Sequence, residues 1–166
     1  MAESRRASEF DQLLSFAQGL ADKSGPTVLK YFRKHVAIEN KAGPGNFDPV
    51  TLADRAAERV ISKAVAAAYP WHGIIGEEYG TRNEGSRYQW VIDPIDGTRA
   101  FIMGSPMWGT LIGLLDSGTP VLGVLDLPFT SERFWAGEKF TYIRVRDAAP
   151  KRLKTRACPR IGARSH

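Results

Sequence analysis

A single cysteine, Cys158, in 166 residues excludes an internal disulfide, so the fold must be held by its core. Long hydrophobic runs are also missing. No stretch approaches the ~20 apolar residues that a membrane span needs, and Met1 to Phe10 is polar and charged, unlike a signal peptide. A cytoplasmic location and no membrane partner are the expectations. Internal repeats and low-complexity segments are absent, which excludes a solenoid array. What remains is 43% hydrophobic and 10% aromatic. That supports one compact domain, because a chain of ~150 residues buries roughly 70% of its unfolded surface.

The net charge of +5 and pI near 9.5 raise the question of nucleic acid. From Lys139 to His166 nine Lys or Arg residues stand against Asp147 alone, a net +8, whereas Met1 to Glu138 carries −3. The charge divides the chain into a mildly acidic body, 1–138, and a basic tail, 139–166. An acidic body suits a metal site better than a groove for a phosphate backbone. The tail has only Phe140 and Tyr142 as aromatics and no zinc or helix-turn-helix pattern. A non-catalytic protein whose basic tail binds nucleic acid or an acidic partner is the competing reading, and no nucleic-acid partner is expected.

Ser8, with Asp11 three residues later, predicts a helix start. Phe10, Leu13, Leu14, Ala17, Leu20 and Ala21 then recur at helical spacing, and Val28, Leu29 and Phe32 continue the stripe. Gly25-Pro26 is expected to kink or break that helix, and 41–46 reads as a loop. Thr51 with Asp54 repeats the capping pattern before a stripe of Ala53, Ala57, Val60, Ile61, Ala64, Val65 and Ala68. Strands are expected at 73–76, 88–92, 109–115, 121–125 and 133–136, with Asp116-Ser117-Gly118 as a hairpin turn. Two helices followed by strands predict an α+β fold, the helices packed on a largely antiparallel sheet.

Acids gather at three element ends: Asp48 to Asp54, Gly76-Glu77-Glu78, and Trp90-Val91-Ile92-Asp93-Pro94-Ile95-Asp96-Gly97-Thr98. Singly, each has an ordinary role as turn former, helix cap or solvated loop charge. The third is different. Pro94 forces Asp93 into an extended conformation, Ile95 offers a carbonyl between two carboxylates, and only Arg99 lies nearby in sequence as a positive charge. Two carboxylates within ~4 Å repel by about 4 kcal/mol at an effective dielectric of 20. A hard divalent cation such as Mg²⁺ resolves this, with Asp93, the Ile95 carbonyl and Asp96 as half a site and Glu77 as its completion. Gly97 and Thr98 stand where a short helix begins, and backbone N–H groups there can receive a phosphate. An aspartyl-phosphate centre needs its two aspartates closer in sequence, and Pro94 and Ile95 spoil an EF-hand.

These three segments, in this order, resemble the motifs of the inositol-monophosphatase superfamily, from the first helix to about Ile161. The run Arg99-Ala100-Phe101-Ile102, with Gly104, Pro106, Trp108 to Ile112 and His72-Gly73-Ile74, looks like the histidinol-phosphatase branch. The resemblance implies the first domain of a layered αβαβα sugar-phosphatase fold and two or three Mg²⁺ ions. It assigns Glu77, Asp93 and the Ile95 carbonyl to one ion, and Asp93 and Asp96 to a second. Asp48 and Thr98 would orient and deprotonate a water, with Glu77, and Ile95, Asp96, Gly97 and Thr98 would receive the substrate phosphate. The expected activity is hydrolysis of a small phosphorylated metabolite, histidinol phosphate in histidine biosynthesis, without a phosphoenzyme. The alternatives are an inositol monophosphatase and a catalytically dead fragment. Family members continue into a second α/β domain that supplies another aspartate, and nothing after Ile161 resembles it. The basic tail is accordingly expected to be the start of a missing or truncated second domain, and a homodimer is left open.

Overall fold

The computed structural model describes residues 2–35, 38–40, 49–137, 140–155 and 157. The 41–46 loop, Asp48 and Cys158 lie outside the described residues. The first helix, α1, runs Ala2–Leu29. It starts before Ser8 because Ala2 to Arg6 are mostly good helix formers. It also continues through Gly25-Pro26, where a break was expected. An interior proline costs about 3 kcal/mol. Here Pro26 faces solvent, while Ser24 and Val28 on either side are fully buried, so packing of the last turns offsets the lost hydrogen bond.

After a short ribbon of β1 (Ile38–Asn40) against β2 (Pro49–Thr51), α2 spans Leu52–Ala68. Its capping box is complete. The Thr51 hydroxyl accepts the Ala53 N–H at 3.1 Å, and the Asp54 carboxylate accepts the Thr51 N–H at 2.8 Å. The buried face is Ala53, Asp54, Ala57, Glu58, Ile61 and Val65, so two acids share the apolar stripe. Val60 is only half-buried and Ala68 is exposed.

The remaining elements are β3 (Gly73–Gly76), β4 (Gly80–Arg82), β5 (Tyr88–Asp96), α3 (Thr98–Ile102), β6 (Gly109–Asp116), β7 (Thr119–Leu127), β8 (Glu132–Ala136), β9 (Thr141–Val145) and β10 (Lys151–Leu153). The eight strands other than β1 and β2 form one sheet ordered β10-β9-β8-β7-β6-β5-β3-β4. Every pairing is antiparallel except β3 with β5. Helices on a mostly antiparallel sheet are the α+β architecture the periodicities predict. At the expected hairpin, Ser117 and Gly118 both take positive φ, 51° and 81°, the twist that a two-residue turn requires.

The sheet does not stop at the 138 boundary suggested by charge. Thr141–Val145 pairs with β8, and Lys151–Leu153 pairs with Thr141–Val145. These two short strands stand among Arg144, Arg146, Lys151 and Arg152, and the charge alone set them apart from the body. These strands form a basic sheet edge, where charge discourages pairing with other chains. Among the described residues no helix is long and apolar enough to cross a membrane.

The two long helices cover one face of the sheet. Trp90, Ile92, Ile112, Leu114, Leu122, Val124 and Trp135 meet Leu13, Ala17, Leu20, Ile61 and Val65 there. A second cluster joins Val28 and Phe32 to Ile95, Phe101 and Trp108. The opposite sheet face carries Val91, Leu111, Gly123, Leu125 and Phe134 around a groove of about 450 Å³. Only alternate residues of 121–125 point that way, since Leu122 and Val124 are buried under the helices. An apolar face of this kind favours association. The chain should therefore elute as concentration-dependent oligomers on size exclusion, and Leu125→Lys should shift it toward monomer. A monomer at all concentrations in the unmutated chain would contradict this.

Candidate active site

The site forms where β5 departs from regular alternation. Asp93 is paired with Leu111 and Asp96 with Gly109, so β5 carries one extra residue between them. A bulge of this kind re-aims side chains. Pro94 and Ile95 are consecutively buried, Asp93 is half-buried and Asp96 is exposed. Two buried hydroxyls hold the bulge in place. The Thr110 Oγ1 donates to the Pro94 carbonyl at 2.9 Å and lies 3.3 Å from the Ser24 Oγ, which reaches across from α1. The Ile95 side chain is anchored in the cluster with Phe101 and Trp108.

Beyond the bulge, Gly97 turns the chain at φ 90°, ψ 37°. A Cβ there would lie 2.7 Å from the Met107 carbonyl, so both conformation and space require glycine. Thr98 opens α3, with the Phe101 N–H donating to the Gly97 carbonyl at 3.0 Å. No side chain caps this first turn. The Thr98 hydroxyl instead donates to the Ile95 carbonyl at 3.0 Å, leaving that oxygen a second lone pair.

Parallel pairing of β3 with β5 brings Glu77 to the same place. Gly76 is in register with Ile92, and the Glu77 N–H donates to the Ile92 carbonyl at 3.2 Å. The consequence is electrostatic. Burial, a hydrogen bond with Glu77, and the charges of Glu77 and Asp96 push the Asp93 carboxyl up to about 8, against a smaller pull from the Ile95 amide. On α2, Asp54 is also raised, chiefly by burial and further by the Glu77 charge, against its bonds to Thr51.

The fold thus gathers Glu77, Asp93, Ile95, Asp96, Gly97 and Thr98 at one sheet end. Asp48, the remaining expected catalytic residue, lies outside the described residues. Among the described residues no group of three or more His, Cys, Asp or Glu side chains is placed to hold a metal ion. The donor set still fits a hard cation. All candidate ligands are oxygens, burial and the neighbouring Glu77 and Asp96 push the Asp93 carboxyl up to about 8, and its Oδ1 is buried with no hydrogen-bond partner. Sequence reasoning missed three supporting residues: Thr110, Ser24 and Glu58. Only Glu58 left a signal, as an acid on the apolar stripe of α2.

The chain is similar to known proteins along most of its length. The model of the family described as "Inositol monophosphatase family", whose members are magnesium-dependent phosphatases, matches residues 9–160. The chain is 40% identical over 156 residues to the bifunctional phosphatase IMPL2, chloroplastic, of Arabidopsis thaliana, covering 93% of this chain and 43% of that protein. It is 36% identical over 142 residues to the histidinol-phosphatase of Mycobacterium tuberculosis, covering 84% of this chain and 54% of the relative. Among solved structures, an inositol monophosphatase from Zymomonas mobilis superposes with a TM-score of 0.72 at 36% identity, over 90% of this chain and 55% of that one. The chain spans about half the length of the curated relatives it matches.

The raised Asp93 carboxyl makes a prediction for the cation-free chain. A group that keeps its proton up to about 8 when folded, against an ordinary 3.8, favours folding most at acid pH and loses that advantage as pH rises toward 8. Asp93→Asn cannot ionise. Its melting temperature relative to the unmutated chain should rise between about pH 4 and pH 8, and Mg²⁺ should close the gap. A difference independent of pH would show that Asp93 ionises normally.

Proposed function

Since the chain belongs to the inositol monophosphatase family, we propose that it contributes the metal-binding half of a magnesium-dependent phosphomonoesterase centre acting on a small phosphorylated metabolite. One observation carries the reading. Asp93 and Asp96 flank the bulge at the end of β5, with Glu77 tied beside them through the Ile92 carbonyl, and burial, the hydrogen bond with Glu77 and the charges of Glu77 and Asp96 push the Asp93 carboxyl up to about 8. Glu77, Asp93 and the Ile95 carbonyl would hold one Mg²⁺, and Asp93 with Asp96 a second. A cation held there would acidify a water and offset charge on the phosphoryl group, so that displacement at phosphorus is direct and in line.

The protein's own groups bind and orient. The first-turn amides of α3, with Gly97 and Thr98, receive the substrate phosphate. Thr98, tethered through its hydroxyl to the Ile95 carbonyl, stands between the metal ligands and that cradle, where it positions the attacking water. Asp48, with Glu77, takes the proton. A cytoplasmic setting belongs to the same reading.

Histidinol phosphate is the proposed substrate, on the strength of the run from Arg99 to Ile112 and His72-Gly73-Ile74. Inositol phosphate is the second reading, because the Zymomonas mobilis inositol monophosphatase is as similar, at 36% identity, as the Mycobacterium tuberculosis histidinol-phosphatase. A fusion of this chain to the remaining half of the Zymomonas mobilis enzyme separates them. It should hydrolyse histidinol phosphate faster than inositol 1-phosphate in Mg²⁺, a preference that only this chain's residues could impose. The reverse preference would overturn the substrate while leaving the metal centre. In the same fusion Thr98→Ala should lower kcat by about 10²-fold or more with little change in KM, since it removes a group that acts on the water. An unchanged kcat would remove Thr98 from the chemistry.

A further inference from the structure

We propose that Glu58 is a positioning residue for the cation, fixing where the Glu77 carboxylate stands by gripping the backbone turn that follows it. The inference rests on reading Glu77 as a metal ligand. Glu58 has no exposed surface, although it is an acid in the middle of α2. Its carboxylate reaches past the end of β3. Oε2 accepts the Glu78 N–H at 2.7 Å, and Oε1 accepts the Tyr79 N–H at 3.0 Å. Hydrogen bonds to an ionised acceptor are among the strongest available to a backbone amide.

With the Glu77 N–H on the Ile92 carbonyl at 3.2 Å, three consecutive amides are tied down, one to β5 and two to α2. The backbone of Glu77 is thus held from both sides, while its side chain, on an exposed residue, bonds with Asp93. The strand end is built around this contact. A Cβ at Gly76 would land on the Glu58 carboxylate, so only glycine lets the acid come so close. Asp54 lies one turn earlier on the same face of α2 and feels the Glu77 charge, which places that charge beside the buried acids. A buried carboxylate is costly unless its oxygens are satisfied. Here the satisfying groups belong to the segment that presents a ligand, and holding such a ligand typically governs metal affinity by ~10–100-fold.

Reach and charge can be separated by substitution. Glu58→Asp keeps the charge but is one methylene too short to grip the turn. Glu58→Gln keeps the shape and one acceptor oxygen while losing the charge. The probe is Mn²⁺, followed by calorimetry, together with hydrogen exchange of the Glu78 and Tyr79 amides in the cation-free chain. Glu58→Asp should bind Mn²⁺ ~10–100-fold more weakly and exchange both amides faster, with Glu58→Gln showing a smaller loss. Leu122→Ala, which disturbs the core away from the turn, should weaken stability but leave Mn²⁺ affinity unchanged. If Glu58→Asp does not fold, the isosteric Glu58→Gln gives the same two readouts.

Faster amide exchange with undiminished Mn²⁺ affinity in either variant would overturn the positioning role. Unchanged exchange would show that Glu58 does not hold the turn, and overturns it equally. No Mn²⁺ binding by the unmutated chain would defeat the metal reading itself, and the role of Glu58 with it.

Discussion

The constraint on which the rest of the site depends is the crowding of carboxylates at the end of β5. Asp93 is half-buried between Glu77 and Asp96 and is driven up to about 8, first by burial and then by those two neighbours. Like charges ~4 Å apart at an effective dielectric of 20 oppose each other by about 4 kcal/mol. A domain of this size is stable by only about 5–15 kcal/mol in total. Without a cation the folded chain avoids that conflict by keeping a proton on Asp93. The proposed cation would turn the same three groups into a ligand set.

Such an arrangement persists only if the scaffold leaves the carboxylates no room to move apart. The fully buried Ser24 and Thr110 hydroxyls tie the β5 bulge to α1 and β6 through the Pro94 carbonyl. Ile95 is pinned by Phe101 and Trp108. On the other side, parallel pairing of β3 with β5 delivers Glu77 to Asp93, and the capped helix α2 turns its buried acids toward the same point. The helices therefore do more than cover the core, since each also sends a polar side chain to the strand ends that carry the chemistry. Asp93 itself lines the groove on the opposite sheet face, beside Val91, Leu125 and Phe134, so that face borders the site.

Much of this was legible in the sequence where a local signal existed. The Thr51–Asp54 box, the period-two strands and the Asp93-Pro94-Ile95-Asp96-Gly97-Thr98 turn follow from chemistry within a few residues, and they led to the elements that the structure shows. Pro26 misled because its cost is local, whereas the burial of Val28 that offsets it is tertiary. The strands at 141–145 and 151–153 were hidden by basic residues that satisfy an exposed edge. Ser24 and Thr110 could not be recognised because their hydrogen bond joins residues 86 positions apart. Glu58 was visible as an anomaly on an apolar stripe, but its partners, the Glu78 and Tyr79 amides, carry no sequence signature.

The central claim is that burial, and then its carboxylate neighbours, hold Asp93 protonated in the cation-free chain, and that the proposed cation would displace that proton. The most direct measurement is ¹³C NMR titration of the aspartate side-chain carboxyls, with Asp93 assigned by substitution. In the cation-free chain the account predicts a midpoint near 8 for Asp93, falling when Glu77 is replaced by Gln or when Mg²⁺ is added. A midpoint near the ordinary 3.8 in the cation-free chain, unmoved by either change, would contradict it.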